Sequence, residues 1–459
     1  MGNIKSLQFF LGVPDNIKMK FSLKFPTSQK AWMIAYIFVA IFQPPIFSFS
    51  TIYLWGILTL ILLMKDYKLN LALPSESKLL EFYNVLMLLS FYCVIISVFN
   101  ILFIDSRDFY SNRIHWFARL FLMTPIELLF VWYIHDRCIK WNFSLQDIID
   151  MVGIVGALQG CCAIAAYVSP QIRNFFLIHH QSIIKNGYFL SRRGYGLSGV
   201  LFDTFGYGMG LIAGIILLAE GISRRRKYVY ITLSLIATFL NSRTGLLLFI
   251  LAIVLYLCKS KNFNNTLLKI ISTMILLFFV IVYVVEPLLV IGIKSDNVNI
   301  SWASGALKNV LAFLNGEQKI TEVSFLLGVD RFPTNVFDLI FGTGHDIFSV
   351  SKIIGFHSDV GYINMLWEFG IIGSAFFFIC FMKLVKTALD AASYSEKFIG
   401  IFIMLSFLLV LMKANLIGYS PGIIVTYIVL FSFILRSSKR FNFDYFSVVK
   451  SKKVRSCDA

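Results

Sequence analysis

Charge is scarce in this sequence. Only 14% of its 459 residues are Asp, Glu, Lys or Arg, against about 25% in an ordinary soluble domain. Hydrophobic residues make up 58%, and mean hydropathy is +0.77. A water-soluble fold has no means of hiding that much apolar surface, so the chain reads as a polytopic membrane protein. Acids are the scarcer sign, 25 against 41 Lys and Arg, for a net charge of +16. That surplus does not call for nucleic acid, because membrane proteins gather Lys and Arg on the cytoplasmic side to fix their orientation. The seven cysteines make no disulfide framework. Cys93, Cys161, Cys162, Cys258 and Cys380 lie in or beside apolar runs, and Cys138 and Cys457 sit next to basic residues. The start, Met1 to Lys30, lacks the apolar core and small-residue cleavage site of a removable signal peptide. No His/Cys cluster has metal-ligand spacing, and neither a phosphate-binding P-loop nor a dinucleotide fingerprint is present. No metal and no cofactor are expected.

What is present is a succession of apolar runs of roughly 17–25 residues, the length that spans a bilayer as a helix. The fold class expected is all-α: a transmembrane bundle of about twelve helices in one membrane domain, residues 1–459, with both termini cytoplasmic. Helix 1 should end at Phe42, before the helix-breaking Pro44-Pro45, and helix 2 should run over 46–64. Later helices are expected near 115–135, 148–168, 228–240, 245–257, 363–380, 398–412 and 421–435. The glycine-rich run from Gly199 to Gly214 is read as a helix that lets its neighbours approach closely. Lys30, Arg137, Lys140, Arg224-Arg225-Arg226-Lys227, Lys259, Lys383 and Lys386 fall on the cytoplasmic side of this threading. Residues 291–356 form the one large outer excursion.

Basic residues on the outer face are then the exception to explain. Arg192 and Arg193 end one outer loop, Arg243 sits in the short turn Asn241-Ser-Arg-Thr244, and Arg331 lies in the long loop. Arginine stays charged beside low-dielectric surroundings, and its planar fork matches phosphate oxygens. The alternative is that each arginine snorkels to the interface or pairs with Asp203, Asp330 or Asp359. His357 stands beside Asp359 at the mouth of a membrane helix, where an imidazole can take a proton from a hydroxyl near neutral pH. Its alternative is a histidine capping that helix. Asp359 serves equally as a favourable charge at the helix N-terminus.

Four segments, in order, carry a resemblance: Arg193-Gly-Tyr-Gly196, Asn241-Ser-Arg-Thr-Gly245, Phe341-Gly-Thr-Gly344, and His357-Ser-Asp-Val-Gly-Tyr362 followed by Trp367-Glu-Phe-Gly-Ile-Ile-Gly373. Together they resemble the bacterial O-antigen polymerase and O-antigen ligase superfamily, over roughly residues 192–373. The resemblance implies a metal-independent, inverting glycosyltransferase of the GT-C type in the bacterial cytoplasmic (inner) membrane. Its donor and acceptor would be undecaprenyl-diphosphate-linked oligosaccharides, joined into O-antigen or capsular polysaccharide. It further implies that Arg193 and Arg243, with Arg192, hold the diphosphate and that His357 is the base. Asp359, Tyr362 and Arg331 would support them, and a chain-length regulator is an implied partner. The His-Ser-Asp-x-Gly-Tyr form favours polymerase over ligase. A lipid-linked oligosaccharide flippase is the competing class.

Overall fold

The computed structural model describes residues 28–44, 51–67, 110–177, 195–199, 202–241, 243–259, 332–344, 360–412 and 421–434, with isolated helical positions between 84 and 99. Among the described residues the fold is all-helical. Its elements are α1 (Ser28–Phe42), α2 (Thr51–Tyr67), α3 (Tyr110–Lys140), α4 (Leu145–Val168), α5 (Pro170–Leu177), α6 (Phe202–Leu218), α7 (Arg224–Asn241), α8 (Arg243–Lys259), α9 (Val336–Phe341), α10 (Gly361–Ala391), α11 (Tyr394–Leu411) and α12 (Pro421–Ile434). Three of them, α4, α10 and α11, are long and apolar enough to cross a membrane. The others with apolar runs, α1, α2, α6, α8 and α12, are shorter.

Local chemistry explains several boundaries. The first helix stops at Phe42 as expected, and Gln43 takes a left-handed φ of 44° ahead of the prolines. The third helix runs well past the expected 115–135. Its polar end, His135-Asp-Arg-Cys-Ile-Lys140, stays helical because Lys140 pairs with Asp136 one turn back at 3.1 Å, and the Arg137 guanidinium stacks 4.8 Å over the Tyr133 ring. The helix also begins ahead of the expected 115, at Tyr110. Ser144 and Asp147 form a reciprocal capping box that starts α4 three residues before the expected Ile148. Pro170 takes the first position of α5, where its missing N–H costs nothing.

The helices pack around α6, with α8 parallel to it and α4 antiparallel. Residues that would carry a Cβ into a neighbour are glycines here: a Cβ on Gly210 would lie 2.6 Å from the Gly245 Cα, and one on Gly214 would strike the Phe402 ring. These glycines therefore seat α6 against the backbone of α8 and against the Phe402 ring of α11. At one end of the bundle the charges meet. Buried Asp150 accepts from Lys30 at 3.0 Å and from Arg226 at 2.9 Å to both oxygens, which ties α1, α4 and α7 together. Lys227 donates to the Leu217 and Ala219 carbonyls, and Lys259 donates to the Leu218 carbonyl, so two lysines cap the C-terminal end of α6. Lys259 also pairs with Glu220 at 2.8 Å. Residues that the sequence assigns to one side of a membrane thus share one end of the fold.

Candidate functional site

The opposite end gathers the segments singled out in the sequence, and it does so through two separate anchorages. In the first, Tyr195 is buried, its carbonyl accepts from Gln159 Nε2 at 2.6 Å, and its ring meets Phe205 edge-on at 5.8 Å. Gly196 adopts φ +60° because its Cα lies against the α4 backbone, where a Cβ would come within 2.8 Å of the Ala163 nitrogen. Gly199 N–H then donates to the Phe42 carbonyl at 2.8 Å, fixing the segment to the end of α1. The neighbouring residue on α6, Gly206, receives Gly245 in backbone contact. Consecutive residues of α6, Phe205 and Gly206, therefore receive the segment that follows Arg193 and the segment that follows Arg243.

Arg243 itself is not in a turn, as the sequence reading had it. The seventh helix persists to Asn241, where Asn241 Nδ2 donates to the Ala237 carbonyl at 2.7 Å, and α8 begins at Arg243. Only one residue of sequence separates the two helices. Such a short link holds because the glycine contact at Gly245 pulls α8 onto α6 within its first turn.

The second anchorage joins the other two segments. Within α10 the backbone breaks at Gly370, with φ +64° and ψ −172°. That break turns the Trp367 and Glu368 carbonyls out of the helical ladder. They accept instead from the Thr343 N–H at 2.7 Å, the Thr343 hydroxyl at 2.8 Å and the Gly344 N–H at 3.0 Å. Gly342, at φ +82°, packs face to face with Gly370, and a Cβ on Gly342 would lie 2.5 Å from the Gly370 nitrogen. Tyr92 closes the joint from outside, its hydroxyl donating to the Phe341 carbonyl at 2.7 Å. Burial raises the Asp338 carboxyl, on the short α9 beside this joint, above its usual range.

No protein-family model and no curated protein matches this chain.

Of the residues proposed from sequence, Arg192, Arg193, Arg331, His357 and Asp359 lie outside the described residues, and Arg243 is described in its backbone alone. The described partner, Tyr362, is half-buried, and its ring packs edge-on against Phe332 at 6.4 Å. It joins a small apolar cluster with Val360, Ile363 and Trp367 at the entrance to α10. Tyr362 therefore packs the residues that follow Arg331 against those that follow Asp359.

Polar residues that the sequence reading passed over stand out in the structure. Asn364 and Glu368 are fully buried on α10, and Glu127 and His135 are buried on α3. The Nε2 of His135 lies 3.2 Å from the Ile428 carbonyl and 3.0 Å from the Ser432 hydroxyl, so it links α3 to α12. Neither amide atom of Asn364 has a hydrogen-bond partner among the described residues, an arrangement that costs about 1–3 kcal/mol per group. A signal was available: Asn364 and Glu368 are the polar residues four apart in an otherwise apolar run.

Proposed function

We propose that the chain is a multi-pass membrane glycosyltransferase that polymerises undecaprenyl-diphosphate-linked oligosaccharide repeat units at the outer face of the bacterial cytoplasmic membrane. The observation that carries this reading is the landing of two arginine-bearing segments on adjacent residues of α6, Phe205 and Gly206. Arg193 precedes Tyr195 by two residues and Arg243 precedes Gly245 by two, and two residues of chain span at most about 7 Å. Two arginines within that reach of one end of the bundle suit a diphosphate leaving group, whose charge their guanidinium groups would neutralise in place of a divalent cation. In this reading the bundle has about twelve spans with both termini inside, and the end bearing Asp150, Arg226 and Lys259 faces the cytoplasm.

The chemistry is a direct displacement. His357 removes the proton from the acceptor hydroxyl as that oxygen attacks the anomeric carbon of the donor. The bond from the anomeric carbon to the diphosphate oxygen breaks with inversion, and the diphosphate departs held by Arg193 and Arg243, with Arg192 close by in sequence. The joint between 341–344 and 367–370 supports this reading by fixing the start of α10, which His357 precedes by four residues. Asp359 and Arg331 flank the same entrance in sequence.

The test is surface polysaccharide from a deletion strain complemented with wild type, Arg243→Ala or His357→Ala. Wild type should restore a ladder of chain lengths, and each variant, stably expressed, should leave a single repeat unit on its acceptor. Normal ladders from both variants would refute the site. Complete polysaccharide that fails only to reach lipid A core would favour the ligase. One observation favours transport instead: Glu127 and His135 are buried within α3, as ionisable groups along a translocation path are. Lipid-linked repeats stranded at the cytoplasmic face of the deletion strain would select that reading.

A further inference from the structure

Asn364 and Glu368 do not belong to the diphosphate or to the base. Four residues apart on α10, they share a face of the helix, and both are fully enclosed. The backbone N–H of Asn364 is satisfied by the Val360 carbonyl at 3.1 Å, so only the side-chain amide lacks a partner. The turn beneath the pair is held rigidly, since the Glu368 carbonyl accepts from Gly344 and the Trp367 carbonyl accepts twice from Thr343.

The chemistry of the pair selects its ligand. A primary amide offers two donors and an acceptor, whereas a carboxylate only accepts. Neighbouring hydroxyls of a sugar ring complement that set: the carboxylate accepts from one or both, while the amide donates to a hydroxyl oxygen and accepts from its hydrogen. A phosphate is a poor match, because it would face the Glu368 carboxylate. A polyprenyl chain is no better, since it leaves the amide unsatisfied.

We propose that Asn364 and Glu368 form a saccharide-hydroxyl subsite that recognises the sugar portion of the lipid-linked substrate. This deepens the glycosyltransferase reading and rests on it. Enclosure supplies the driving force. The empty arrangement carries an unsatisfied amide and the saccharide-bound one does not, and that difference favours the bound state.

The test uses the full-length chain in lipid nanodiscs and two probes: lipid-linked oligosaccharide extracted from a strain lacking this protein, and undecaprenyl diphosphate alone. Asn364→Leu replaces the amide with an apolar group of similar volume. It should hold or raise the thermal midpoint, weaken binding of the oligosaccharide probe about tenfold, and leave undecaprenyl diphosphate binding unchanged. Glu368→Gln should show the same selectivity. If Asn364→Leu does not fold, Asn364→Ala gives the same comparison. Wild-type affinity of the variant for the oligosaccharide probe overturns the subsite and leaves the proposed function standing. Equal losses for both probes with a lowered midpoint assign the pair to structure and also overturn the subsite. Failure of the wild-type chain to bind either probe overturns the glycosyltransferase reading together with it.

Discussion

At Gly370 a left-handed backbone and a face-to-face contact with Gly342 coincide, so a methyl group there meets two obstacles at once. At φ +64° and ψ −172° an L-residue is strained by about 1–3 kcal/mol, and the overlap falls on Gly342 and Ile340 backbone atoms, which have no rotamer to escape into. Gly370→Ala is expected to lower the thermal midpoint of the purified protein by several degrees and to abolish the polysaccharide ladder. A variant with wild-type midpoint and ladder would mean that the joint is dispensable. At the charged end, the Lys259 ammonium donates to Glu220 and holds its carboxyl below the ordinary value of 4.5. Because the folded value is the lower one, the stabilisation is fully present above about pH 4.5 and is lost as pH falls through the depressed value. Glu220 is largely exposed, so the effect is small. It is read by comparing wild type with Glu220→Gln: their midpoints should converge on acidification below pH 4.5 and differ above it.

The end of α1 was legible, because Pro44 and Pro45 cannot continue a helix. The start of α4, set by Ser144 with Asp147, was not. Ser144→Ala removes the side-chain acceptor for the Asp147 N–H and should cost about 1 kcal/mol, measured as a shift in chemical denaturation midpoint. The same cap was written in the sequence, yet α4 was expected to start at Ile148, because apolar periodicity begins later than the cap does. The run past His135 was missed for the opposite reason: its polar residues satisfy one another along the helix surface, through Asp136–Lys140 and Arg137 over Tyr133, and so do not end it. The break at Gly370 was also hidden. A glycine in an apolar run reads as a packing position, and only the partner at Gly342, nearly thirty residues earlier, shows that it is a joint. Pairings at that sequence distance leave no periodic trace. The segments involved were nevertheless picked out by resemblance, and the structure pairs 341–344 with 367–370 directly.

Taken as a single body, the chain has a charged end and an end that collects glycine-bearing turns, with apolar helices between them. This polarity yields a sidedness experiment. In a variant whose native cysteines are replaced, Gln171→Cys in the first turn of α5 and Ser223→Cys before α7 are both exposed and lie at opposite ends. A membrane-impermeant maleimide added to intact cells should label Gln171→Cys, and Ser223→Cys should react only after permeabilisation. The reverse pattern would invert the proposed orientation and place the arginine-bearing segments in the cytoplasm.

The segment 195–199 is held by three helices at once, at Phe42 of α1, Gln159 of α4 and Phe205 of α6. A bilayer of different thickness tilts a helix that spans it. If the three helices tilt together, the Gly199 N–H keeps its bond to Phe42, and its hydrogen-exchange protection should be the same in vesicles of shorter and longer acyl chains. Protection lost in one of them would show that α1 and α6 tilt apart.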